Sequence, residues 1–175
     1  MSKAIMISIK PKWVAKILNG KKTIEIRKTI PKYGLPVDVY IYCTKDKETI
    51  AINPYGGYAV VPNKYKNEYF NGKVVAKFTL NSVLKCELIN DSKFDSFFHR
   101  DYQLTRKELK DYVGENAYYE WHISNLVIFD KPKELSKFYS YCKDEKCEYR
   151  NNHCSICYRT PLTKAPQSWC YVDVE

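Results

Sequence analysis

The sequence predicts an α+β fold, a small β-barrel with flanking helices, and three observations carry that prediction. Seven short strand-like runs, at 5–9, 23–27, 37–43, 74–84, 121–123, 126–129 and 169–174, are separated by polar stretches and turn residues. Many short strands of this kind favour a closed or nearly closed barrel. Helical signals fall between the strands, and no internal repeat, heptad or low-complexity tract points to a coiled coil or solenoid.

The elements follow in order. Ile5 to Ile9 is an apolar run of strand length, and Pro11 then suits the first turn of a helix with Trp13, Val14, Ile17 and Leu18 on one face. Gly20 ends that helix, because glycine accepts the left-handed conformation that closes a final turn. A second helix begins at Thr105, where Thr-Arg-Lys-Glu is a capping-box pattern, and stops before Gly114. A third is predicted over Pro132 to Tyr141, with Leu135, Phe138 and Tyr139 inward. Residues 44–72 and 142–168 lack periodicity and are read as loops.

With 175 residues, 45% of them hydrophobic, the chain suits a single domain over 1–175 with one core and a Cys-rich insertion at about 142–168. No apolar run approaches the roughly 20 residues that span a bilayer, and Ala-Ile-Met-Ile-Ser-Ile suits a first strand better than a signal peptide. The expected compartment is the cytoplasm, with no membrane partner. Seven cysteines without a secretion signal argue for reduced thiols or metal ligands and against a disulfide framework. Cys43, Cys86 and Cys170 fall on strand patterns and are expected as buried small residues.

The octet from Gly20 to Arg27, Gly-Lys-Lys-Thr-Ile-Glu-Ile-Arg, sets a glycine, a lysine, a glutamate and an arginine at G-x-K-x-x-E-x-R spacing. Thr23, Glu25 and Arg27 share one face of the strand read there. A carboxylate two residues from a guanidinium on such a face is held charged, and Arg with a neighbouring Lys forms a socket for phosphate or a polar base edge. An ordinary surface ion pair is the other reading of the same residues.

The formal charge of +9 is unevenly placed: residues 1–32 hold nine Lys or Arg against one acid, Glu25, and so carry +8. A basic patch of this density is the electrostatic footprint of a nucleic-acid binder, since phosphate neutralisation supplies affinity independent of sequence. A solvated basic face is the alternative.

Ser8-Ile9-Lys10-Pro11, the helix ending at Gly20, Lys22 to Arg27, Gly72-Lys73-Val74-Val75 and Trp121-His122-Ile123, in this order, resemble the ASCH domain family. The ending Ala165-Pro166-Gln167-Ser168-Trp169-Cys170-Tyr171-Val172 looks like that of phage and low-GC bacterial members. ASCH domains are similar to the PUA domain, so the resemblance implies a PUA-like small β-barrel with a cleft beside its first helix, and RNA or a nucleotide as partner. The positions it carries onto this chain are Lys10, Lys22, Glu25 and Arg27, with Ser8 a weaker addition. Trp13 and His122 extend this binding set, and Trp13, Tyr40, Tyr42 and Trp121 are candidate stacking surfaces for an unpaired base, with core packing as the other reading for most of them.

Some members of the family resemble ribonucleases, and one branch hydrolyses acylated cytidine through a Lys, a nucleophilic Thr and a Glu. Lys22 matches that lysine, but Glu25 stands where the threonine would be, and a carboxylate cannot take over the hydroxyl's part without a different mechanism. If the chain is an enzyme, Glu25 and Lys22 are its candidate catalytic residues. For a ribonuclease, Glu25 and His122 are candidates for acid-base work, with Lys22 and Arg27 as the cations opposite the phosphorane charge.

Cys142-x4-Cys147-x6-Cys154-x2-Cys157 places four thiols within sixteen residues, with His153 beside the third. Four thiolates around a tetrahedral Zn²⁺ form a closed structural site, and the intervening polar residues cannot build an apolar core, so a structural zinc is the expected source of order. A zinc loop of this kind also admits a third reading, a protein-interaction module that meets its partner through the loop and not through the cleft.

Overall fold

The computed structural model describes residues 2–32, 34–64, 69–87, 101–141 and 160–174. In chain order the elements are β1 (Ser2–Ile9), α1 (Pro11–Leu18), β2 (Ile24–Arg27), β3 (Val37–Cys43), β4 (Glu48–Ile52), β5 (Tyr58–Pro62), β6 (Lys73–Cys86), α2 (Arg106–Val113), β7 (Tyr118–Glu134), β8 (Tyr139–Ser140) and β9 (Trp169–Val174). Seven strands form one mixed sheet in the order β2-β7-β6-β3-β1-β9-β8. The β1–β3 pair is parallel and its other pairs are antiparallel. The sheet curves as a PUA-like barrel does but is not closed, with β2 and β8 as its edges among the described residues.

Ala4, Ile5, Met6 and Ile7 of β1 are all fully buried, which is why this run is apolar without alternation: the strand is covered on both faces. Ile5, Ile7 and Ile9 pack with Val14, Ile17 and Leu18 of α1 and with Phe78 and Trp121. Ala4 and Met6 pack on the other face with Tyr40, Tyr42, Phe138 and Val172. Each α1 side chain buried this way contributes about 1.5–3 kcal/mol. A third cluster sets Ile24 and Ile26 of β2 against Leu109 and Val113 of α2.

The two helices stand where the sequence puts them. Gly20 has φ 68° and donates its N–H to the Ile17 carbonyl at 2.8 Å, closing α1. Thr105 and Glu108 form the reciprocal capping box that opens α2.

The structure corrects four expectations. The runs at 121–123 and 126–129 belong to one strand, β7. Between them Asn125 and Leu126 face the single residue Phe78, and Asn125 takes φ 50°, a conformation asparagine tolerates, so the polar interruption is a bulge and not a turn. The third helix is absent: β7 runs on to Glu134, Leu135–Lys137 form a 3₁₀ turn, and Tyr139–Ser140 is β8. Pairing of Lys73 with Glu134 and Val74 with Lys133 outweighs the helical pattern there, although Leu135 and Phe138 do turn inward. Within 44–72 lies the β4–β5 hairpin, seated on α1. Cys43 is buried as expected, but Cys86 and Cys170 are only half-buried.

Cys142, Cys147, Cys154 and Cys157, with His99 and His153, lie outside the described residues. No helix among the described residues is long and apolar enough to cross a membrane.

Candidate functional site

Beside the first turn of α1 the protein opens into a cleft of about 710 Å³. One wall is the end of β1 and the start of α1, with Ser8, Lys10 and Trp13; the floor carries Lys22, Glu25 and Arg27. Leu104 and α2 residues Glu108, Asp111 and Tyr112 form the opposite wall, and Thr44 to Asp46 and Gln167 complete the rim.

The turn after α1 delivers Lys22 to the floor. The Lys21 and Lys22 amides both donate to the Lys16 carbonyl, at 2.9 and 3.1 Å, which folds the chain back against the helix. Lys22 Nζ then donates to the Tyr102 carbonyl at 2.8 Å and lies 3.5 Å from Glu25 Oε2. Along β2 the side chains alternate, so Ile24 and Ile26 enter the core under α2 while Glu25 and Arg27 face the cleft. All four are buried, so the strand is not the half-exposed one that its alternation suggests. Thr23 precedes β2 and lies within reach of Asp101, away from the floor.

Arg27 Nη2 lies 3.1 Å from Glu25 Oε1 and donates to the Ser8 carbonyl at 2.9 Å, and Nη1 donates to Ser168 Oγ at 3.4 Å. Its Nε is buried without a hydrogen-bond partner among the described residues. Lys22, Glu25 and Arg27 are only 2%, 8% and 6% exposed, so this is a buried ionic triad and not a surface pair. Two cations around one carboxylate give the floor a net positive charge in a poorly solvated setting, where each interaction is stronger than in water. Burial pushes the proton affinity of Lys22 below its ordinary value, and Glu25 opposes that shift. The floor therefore offers a positive field, carboxylate acceptors for ligand N–H groups, and an amine with eased proton loss.

Trp13 is half-buried above this floor, with the ammonium groups of Lys12, Lys16 and Lys22 at 4.4, 4.8 and 5.7 Å from its ring centroid. Lys10 is exposed at the N-cap of α1. Lys10, Trp13, Lys22, Glu25, Arg27 and Ser8 thus come together in one cleft. His122 does not join them. It pairs with Ile24 across the β2–β7 ladder and shares that residue's face, whereas Trp121 pairs with Glu25. Its Nε2 lies 3.7 Å from Glu120 Oε2, and Glu120 Oε1 accepts from Cys86 Sγ at 2.8 Å and Tyr102 OH at 2.5 Å. Among the described residues no group of three or more His, Cys, Asp or Glu is arranged to hold a metal.

Several lining residues escape the sequence reading. Glu108, Asp111 and Tyr112 reach the cleft because α2 packs on β2, a long-range contact that the capping box cannot reveal. Gln167 lies within the C-terminal segment 165–172 that carries the family resemblance, which was the available signal.

An open barrel-like sheet with a helix leading from its first strand and a charged cleft beside that helix defines a PUA-like domain. The sequence model of the ASCH domain matches residues 7–133, well over half of the chain, and the chain belongs to that family. ASCH domains are PUA-like and are generally linked to RNA binding. Among solved structures, the chain is similar to an ASCH protein from Zymomonas mobilis, at 20% identity and TM-score 0.51, over 96% of this chain and 86% of that one. A Tyr-to-Phe variant of that protein superposes with TM-score 0.56 at 20% identity, covering 97% of this chain and 90% of the other. A Ser-to-Ala variant gives 0.51 at 19%, covering 96% and 87%. At these identities the likeness establishes the fold. No curated protein matches the sequence.

Proposed function

We propose that this protein binds single-stranded RNA or a nucleotide in the cleft, with Lys10, Trp13, Lys22, Glu25 and Arg27 as its binding residues. The observation that carries this reading is the buried Lys22–Glu25–Arg27 triad at the base of an open cavity. Three charges withdrawn from water are costly, and removing one partner leaves another uncompensated. Sequestering such a group at the base of a cleft suits recognition of a polar ligand better than structural support. In this reading the positive field attracts phosphate, Lys10 meets it at the mouth, Glu25 accepts from base N–H donors, and Trp13 offers a ring for stacking. His122 stands outside the set because it occupies the other face of the ladder.

A second reading, turnover of RNA or a modified nucleoside by Lys22 and Glu25, draws on the lowered proton affinity of Lys22. One experiment separates the two. Affinity for short single-stranded RNA and for mononucleotides is measured for the wild type, Arg27→Ala and Glu25→Gln, with thermal midpoints alongside and products assayed. The binding reading expects both variants to lose at least about tenfold in affinity, or roughly 1.4 kcal/mol, with no product from the wild type. Product that disappears in folded Glu25→Gln supports the enzyme. Unchanged affinity in both variants refutes the cleft assignment.

A further inference from the structure

The polar groups of the cleft divide into those already engaged and those that are free. Lys22, Glu25 and Arg27 bond one another and the surrounding backbone, and Glu108 holds Lys12. Gln167 differs: it is exposed, it lines the cleft, and its carboxamide makes no hydrogen bond among the described residues.

Its neighbours, by contrast, are fastened on both sides. Ser8 Oγ donates to the Pro166 carbonyl at 2.6 Å, and the Ser8 N–H donates to the Ser168 carbonyl at 2.9 Å. Arg27 donates to Ser168 Oγ, and Trp169 Nε1 donates to Thr29 Oγ1 at 2.9 Å. A carboxamide carried between anchored peptide units has little backbone freedom left to lose on binding. Gln167 lines the same cleft as Ile9 and Lys10. The Lys10 ammonium also has no partner among the described residues. A free cation and a free carboxamide therefore line one cleft, which matches a ligand that joins a phosphate to a planar group with hydrogen-bonding edges.

We infer that Gln167 is a specificity-determining residue that reads the edge of a nucleobase, an inference that rests on the nucleotide reading of the cleft. A carboxamide sets an acceptor and a donor in one plane and so complements a base edge offering a donor beside an acceptor. A ribose phosphate has no such edge.

The test uses the full chain with short homopolymers of cytidylate and uridylate and an abasic ribose-phosphate chain of equal length. Wild-type protein is expected to bind both homopolymers more tightly than the abasic chain. Gln167→Ala should weaken both by about three- to tenfold and leave the abasic chain unchanged. Gln167→Glu offers only acceptors, so it should weaken both homopolymers as well, because the acceptor beside the N–H donor on either base edge is left without a donor. Thermal midpoints should stay at the wild-type value, since Gln167 is exposed and supports nothing. Equal losses on the abasic chain, or homopolymer affinities unchanged in both variants, overturn the role of Gln167 while the cleft reading stands. If none of the three chains binds wild-type protein, the cleft reading falls and this inference with it.

Discussion

Lys12 on α1 and Glu108 on α2 meet at 2.7 Å, Nζ to Oε1, so the two helices that wall the cleft are joined by an ion pair. Glu108 also accepts from the Thr105 amide through Oε2 at 2.9 Å, so the same carboxylate caps its own helix. The Lys12 hydrogen bond foremost, with the Thr105 amide behind it, draws the carboxyl from 4.5 down to about 2.

Glu108→Gln should therefore lower stability at neutral pH, in a pH-dependent way. The folded-state value is depressed, so the contribution is full above about 4.5 and is lost as pH falls towards about 2. Both partners are more than a third exposed, so solvent screening keeps the pair below about 1 kcal/mol. Urea midpoints of the two proteins should differ at neutral pH and converge in acid. A gap that persists undiminished through that window would contradict the assignment.

Asn19 imitates a rung of a β-ladder: its Nδ2 donates to the Tyr58 carbonyl at 2.7 Å and its Oδ1 accepts from the Tyr58 amide at 2.9 Å. These two bonds fasten the β4–β5 hairpin to the end of α1. Asn19→Ala should cost about 1–2 kcal/mol and speed hydrogen exchange at β4 and β5 amides, leaving β1 and β3 protected. Uniform acceleration across all four strands would show that the hairpin is not a separate unit.

The buried triad also makes a stability prediction apart from binding. Arg27→Ala removes the nearer cation from a carboxylate that is 8% exposed, and the expected loss is about 3 kcal/mol by denaturant titration. A loss below about 1 kcal/mol, as for an exposed pair, would mean that Glu25 is solvated in solution.

What was legible in the sequence is local. The Pro11 and Gly20 signals bound α1, Thr105 and Gly114 bound α2, and the octet brought Glu25 and Arg27 onto one face, because each depends on residues a few positions apart. What was not legible depends on partners far away in the chain. The helical pattern at 132–141 yields to pairing with Lys73 and Val74, and the break at Asn125 is absorbed by a bulge opposite Phe78. The burial of Lys22 follows from the Tyr102 carbonyl, eighty residues on, and no spacing within the octet announces it.

The cysteine cluster carries a prediction of its own. Purified protein should contain close to one zinc per chain, and replacing Cys154 and Cys157 by Ser should remove it while amides of β6 and β7 stay protected, since the metal would order only its own segment. Metal-free protein whose Cys142, Cys147, Cys154 and Cys157 all titrate as free thiols under reducing conditions would rule the site out.

The salt dependence of single-stranded RNA affinity tests the central claim most directly. Lys22 is already engaged by Tyr102 and Glu25, whereas Lys10 is exposed at the mouth of the cleft, so Lys10 should be a phosphate contact. The logarithm of the affinity should fall linearly with the logarithm of salt concentration, and Lys10→Ala should make that slope shallower by about 0.7. Affinity that does not respond to salt, or a slope that Lys10→Ala leaves unchanged, would contradict a phosphate-reading cleft.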